Sequence, residues 1–282
     1  MNPLEQIALA WHSLVETLRA LFAPVMWLPW LLLGAFQAAL VVALGWFAHP
    51  AVAWLAVPLA RLLGGEDALH YPRIFRVLPA LYSRADLAVG AVLGALVVGA
   101  ATRLFAARFS GAEVRPLAEL GWALRRAPLL IAVNLPLNLL LIGLSLALDA
   151  MLGRPGGSAI VRQGITVGGL VAAMLLQAAF LYATPLVAVS GLPLLRALAM
   201  LPRAFARGAF AALVLSLFAV LALLPLQGLA GLGDNLVERG TPELVAWITI
   251  AQTALGLLAG FILTGGATLV YQSSVARGGA RS

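Results

Sequence analysis

Residues Gly90–Thr102 read GAVLGALVVGAAT, an apolar, Gly-rich run with no charge until Arg103. The run reappears at Gly256–Thr268 as GLLAGFILTGGAT, with Gly, Gly, Gly, Ala and Thr at the same offsets, and a looser echo ends at Ala183-Thr184. Each run lies inside a longer apolar stretch, and about 20 such residues cross a bilayer core of ~30 Å. They are expected to be the second helices of related membrane hairpins.

Composition points the same way. The chain has 282 residues, of which 62% are apolar and only 10% charged. A soluble domain is nearer half apolar and about a quarter charged. The class is therefore polytopic membrane protein, all-α, with residues 1–282 forming a single membrane domain. All 18 basic residues are Arg, and they lie between apolar runs rather than in one block. That is membrane-protein placement, and it argues against a nucleic-acid partner. Without Lys there is no Schiff-base nitrogen, and without Cys no thiolate nucleophile or metal ligand.

Six spans emerge at about 23–48, 86–108, 128–149, 164–190, 209–232 and 244–271. Residues 4–22 show amphipathic spacing, as do 70–84, 113–126 and 191–208, and these read as interfacial helices. Residues 51–63 are too short to cross and read as re-entrant or interfacial. Leu-Pro pairs at Leu28-Pro29, Leu135-Pro136 and Leu224-Pro225 alternate with Ala-Thr pairs ending at Thr102, Thr184 and Thr268. The Thr spacings of 82 and 84 residues suggest repeats over 1–110, 111–190 and 191–275, each a hairpin preceded by a cytoplasmic amphipathic helix.

Arg distribution sets the orientation. With the N-terminus inside, eleven Arg lie inside and seven outside. By the positive-inside rule both termini are expected in the cytoplasm.

Gly90/Gly94 and Gly256/Gly260 are GxxxG pairs, expected to pack helices closely. Among 28 Gly such pairs also arise by chance, so their shared position carries more weight than the motif. Intramembrane amides at Asn134, Asn138, Gln177, Gln227 and Gln252 suggest either a polar path or plain hydrogen bonding between helices. Gln37 and Thr264 join that polar set. Asp86 falls at the outer start of the second span, so no charge is expected mid-span, which speaks against ion-coupled transport. Arg125, Arg126, Arg196, Arg203 and Arg207 offer a basic face for anionic lipid or an acidic partner. His12, His49 and His70 are scattered and suggest no metal site, and no nucleophile elbow, phosphate loop or dinucleotide fingerprint is present.

The segments LYATPLVAVSGLPLLRALAMLPRAFARGAF (181–210) and ATLVYQSSVAR (267–277) resemble a known family. It is the six-helix membrane region attached to some bacterial glycerophosphodiester phosphodiesterases, with its stand-alone relatives. The matching positions are Pro185, Ala197-Leu198, Arg203, Arg207-Gly208, and Thr268 to Tyr271. Leu201, Pro202 and Ser273 depart from the family's Ser, Trp and acid. The catalytic barrel is absent from this sequence, so the resemblance implies architecture and a bacterial inner membrane, not phosphodiester chemistry.

The expected function is thus a non-enzymatic accessory or scaffold subunit of the inner membrane, without cofactor. Its expected partners are membrane lipid and another membrane or cytoplasmic protein. The competing reading is a transporter or channel for a small or lipidic solute.

Overall fold

The computed structural model describes residues 2–46, 49–71, 73–152, 158–230, 233–238 and 241–279. Its helices, in chain order, are α1 (Pro3–Ala20), α2 (Leu28–Gly45), α3 (Pro50–Gly64), α4 (Ile74–Val89), α5 (Ala95–Phe109), α6 (Pro116–Arg125), α7 (Ala127–Leu152), α8 (Ala159–Phe180), α9 (Ala183–Ala188), α10 (Leu194–Ala230), α11 (Gly233–Glu238) and α12 (Glu243–Gly279). No strand occurs among the described residues. Six segments are long and apolar enough to cross a membrane: Pro24–Gly45, Ile74–Phe109, Ala127–Leu152, Ile160–Ala188, Leu194–Ala222 and Glu243–Ser274. This is an all-α polytopic membrane fold, in which each backbone group bonds within its own helix.

Two spans are longer than their sequence suggested. α4 and α5 join through one π turn at Gly90–Gly94, giving a continuous segment from Ile74 to Phe109. Residues 70–84 are therefore not a separate surface helix, because Ser83 to Asp86 offers no Gly or Pro to stop the ladder. Likewise 191–208 and the fifth span form one helix, α10, kinked at Gly208 (φ −128°, ψ 24°). By contrast, α3 has 15 residues and is not among the six spans.

The chain divides into two compact units. Unit 1 comprises Met1–Pro29, Ala91–Val220 and Gly260–Ser282, and unit 2 comprises Trp30–Gly90 and Leu221–Ala259.

In unit 1, Phe105 and Phe261 meet edge to face with ring centroids 4.9 Å apart, and Trp27 stacks on Phe261 at 4.6 Å. Aromatic pairs of this kind add about 0.5–1.5 kcal/mol beyond area burial. α1 begins with a capping box: Asn2 Oδ1 accepts from the Glu5 amide at 2.7 Å, and Glu5 accepts from the Asn2 amide at 3.2 Å. Its outward residues Leu4, Ile7 and Trp11 are exposed, as an interfacial helix requires. Its inner face is small and polar, with Gln6, Ser13 and Thr17 buried. Ser13 and Thr17 spend their hydroxyls on backbone carbonyls one turn back, at 2.7 Å each, which makes them cheap to bury. Gln6 accepts from the Phe210 amide at 3.0 Å, beside the Gly208 kink.

Unit 2 has its own apolar core, including Val41, Leu44, Ile74, Leu78, Leu81 and Val245. Arg61 pairs with Glu66 at 2.6 Å and Arg76 with Glu238 at 3.3 Å. Tyr71 Oη donates to Glu243 at 2.6 Å.

The glycine expectation is corrected. A Cβ built on Gly90, Gly94 or Gly256 would meet nothing within 4 Å, and Gly256 is exposed. The shared GxxxG register therefore marks no common seam. Close approach occurs instead at Gly99, where a Cβ would stand 2.6 Å from Leu130, and at Gly169, 2.5 Å from Leu148. Gly265 is tightest, against Thr17 and Phe105.

Candidate functional site

Unit 1 encloses a partly open cavity of about 160 Å³. Its polar lining comes from Thr102 on α5, Asn134 on α7, Gln177 on α8, Thr184 on α9 and Thr264 on α12. The three threonines are buried, and no charged side chain lines the space. Asn134 Nδ2 donates to the Leu130 carbonyl at 2.9 Å and lies 3.1 Å from Thr184 Oγ1. Thr102 bonds back to the Val98 carbonyl at 2.7 Å. Gln177 is half-buried and has no hydrogen-bond partner among the described residues. The free Gln177 amide suits a neutral ligand offering a carbonyl, ester or hydroxyl.

The proposed polar path is thus only partly assembled. Asn134 and Gln177 share the cavity with Gly260, a glycine singled out for packing. Asn138 lies one turn along α7, half-buried, and is not part of the lining. Gln252 belongs to unit 2. The Gln227 side chain lies outside the described residues.

A second cluster sits one turn nearer the same ends of α5, α9 and α12. Arg103 forms an ion pair with Glu119 and stands 4.6 Å over the Trp122 ring. It also reaches the Ala188 carbonyl at 3.5 Å. Gln272 donates to the Ala106 carbonyl at 3.3 Å, and Ser190 and Tyr271 share a hydrogen bond of 2.6 Å. Arg103, Glu119, Ala188 and Gln272 border a pocket of about 230 Å³. In the sequence Arg103 marks only the end of an uncharged run. Glu119 sixteen positions on gave no periodic signal, because the two sit on different helices.

The basic residues Arg125, Arg126, Arg196, Arg203 and Arg207 are all exposed in unit 1. No ion pair holds them among the described residues. The nearby Arg115 donates to Glu113 at 2.5 Å, which holds the Glu113 carboxyl below its usual range and raises the guanidinium. On the other side of the sequence topology, His49 is committed as the cap of α3, accepting from the Ala51 amide at 3.3 Å.

Asp86 lies within the 36-residue Ile74–Phe109 segment, where Gln37 Nε2 donates to its Oδ1 at 2.6 Å.

Compared with family models, curated proteins and solved structures, the chain matches none of them.

Proposed function

We propose that this six-span protein is a non-enzymatic, lipid-binding accessory subunit of a bacterial inner membrane, with both termini in the cytoplasm. The observation that carries this reading is the cavity lined by Thr102, Asn134, Gln177, Thr184 and Thr264 within spanning segments. Uncharged donors at that depth suit the ester or hydroxyl groups of a lipid, whose acyl chains remain among the exposed apolar side chains of α7 and α8. The five free arginines add attraction for anionic headgroups, at about 1 kcal/mol each near the surface. The resemblance of 181–210 and 267–277 to a stand-alone membrane region supports the membrane architecture that this reading needs.

The test is lipid retention by the detergent-purified protein, read by native mass spectrometry and extraction. Wild type is expected to keep a defined lipid, and Gln177→Leu combined with Thr264→Val to lose it. Equal retention by both proteins overturns the reading. A second reading, transport of a small solute, is favoured by Asp86 lying within a span. Solute flux in proteoliposomes, lost on Asn134→Leu, would select it.

A further inference from the structure

We propose that Asp86, Gln37, Tyr82 and Thr253 form an intramembrane site for a single monovalent cation, a proton or an alkali ion. All four belong to unit 2 and lie on α2, α4 and α12. The site is independent of the cavity assigned to lipid.

Depth comes first. Trp46 and Trp247 are 71% and 66% exposed, as interfacial tryptophans are. Gln37 precedes Trp46 by nine positions, about 13 Å of helix, and Thr253 follows Trp247 by six, about 9 Å. The carboxylate therefore sits roughly 10 Å below the aromatic level, within hydrocarbon depth.

Charge comes next. No basic side chain pairs with Asp86 among the described residues. α2 carries no ionisable group over Leu28–Gly45, and on α12 the nearest is Glu243, ten positions from Thr253. On its own helix, Arg84 is exposed and two positions away, a spacing that points the two side chains apart. An unpaired charge so placed costs several kcal/mol, so a positive partner is required.

Ligand geometry comes last. Gln37 is 8% exposed, and its Oε1 has no hydrogen-bond partner. Tyr82 lies one turn before Asp86 on the same side of α4, and Thr253 Oγ1 lies 2.8 Å from Tyr82 Oη. Gln37 thus touches the carboxylate directly, and Tyr82 and Thr253 extend the polar row from one turn away. With no cation present, the Gln37 amide hydrogens face Asp86 and the amide oxygen is orphaned. With a cation present, the amide turns over and its oxygen becomes a ligand. That satisfies the orphan and the charge together.

The experiment uses the full chain in detergent micelles. Its melting midpoint is followed with sodium chloride exchanged for choline chloride at constant ionic strength, then with pH varied in choline alone. A cation that binds only the folded state raises the midpoint as its concentration rises. A sodium response identifies an alkali ion, and a response to pH alone identifies a proton. Asp86→Asn is expected to remove whichever response the wild type shows. Tyr82→Phe keeps the charge and is expected to weaken the response about tenfold in concentration. As a variant-free readout, modification of Asp86 by a hydrophobic carbodiimide, located by mass spectrometry, should fall with sodium or with rising pH. If the wild-type midpoint and the Asp86 modification ignore both sodium and pH, or if Asp86→Asn responds as wild type does, the site does not exist.

Discussion

Tyr182 is locked to Gly208. Its phenol donates to the Gly208 carbonyl at 3.0 Å, and a Cβ built on Gly208 would stand 2.6 Å from Oη and 3.1 Å from Cζ. Tyr182 is 2% exposed, so the ring has nowhere to retreat. The φ of −128° at Gly208 is open to any residue, so the glycine is there for space and not for backbone freedom. Gly208→Ala is expected to lower stability by about 1–3 kcal/mol through overpacking. Tyr182→Phe should cost about 1 kcal/mol for the lost buried bond. Together they should cost less than their sum, because the phenol oxygen causes the closest clash. Melting midpoints in detergent read all three, and strict additivity contradicts the lock.

The glycines should sort by contact and not by motif. A Cβ at Gly265 would stand 2.7 Å from Thr17 Oγ1 and 2.8 Å from Phe105 Cε1. Gly265→Ala is expected to separate α1 from α12 and to cost about 1–3 kcal/mol. Gly256→Ala meets open space and should be neutral or stabilising by up to about 1 kcal/mol, the helix preference of Ala over Gly. Protease susceptibility of α1 gives an independent readout for Gly265→Ala. Equal effects at the two sites would remove the distinction.

The sequence made the six spans legible because hydropathy is a local property, summed along one helix. It could not show where spans begin, since Ile74 to Asp86 and Leu194 to Gly208 are amphipathic yet run on into the next segment despite Pro79 and Pro202. This one ambiguity hid Asp86 inside a span. The Ala-Thr echo led to buried residues, as Thr102, Thr184 and Thr268 are all nearly inaccessible. The GxxxG echo led to open space. The difference is that a threonine can satisfy itself on its own helix, whereas a glycine needs a neighbour whose position no local pattern encodes. The division into two units left no mark either, because its boundaries at Pro29, Gly90, Val220 and Ala259 fall in or at the edge of helices rather than in polar linkers.

Arg103 depends on Glu119 more than on Trp122. The ion pair is partly screened, with 36% and 17% of the two side chains exposed, so its rupture costs less than that of a fully buried pair. Glu119→Gln should cost on the order of 1–2 kcal/mol, by leaving a half-buried cation without its carboxylate. Trp122→Leu should cost about 0.5–1 kcal/mol, the value of an exposed cation–π contact. Replacing Arg103 by Met alongside Glu119→Gln should recover most of the first loss. Midpoints of the single and double variants decide it, and an unrecovered double variant would show that the pair is not what holds α6 to α5.

Tyr71 gives unit 2 an alkaline limit. Its hydrogen bond to the Glu243 carboxylate, with the repulsion a phenolate would meet there, raises the phenol above its ordinary value of 10.0. A raised folded value means the bond contributes fully below the ordinary tyrosine value and is lost as pH climbs through the folded one. Wild type is therefore expected to lose melting midpoint above about pH 10 faster than Tyr71→Phe. Near neutrality the two should differ little, because the bond is exposed. Glu243→Gln should flatten the difference, since a neutral amide neither demands the proton nor repels the phenolate. The other tyrosines are the same in both proteins, so the difference curve isolates Tyr71. A difference that is flat across the alkaline range would show that the Tyr71–Glu243 bond contributes nothing to the fold.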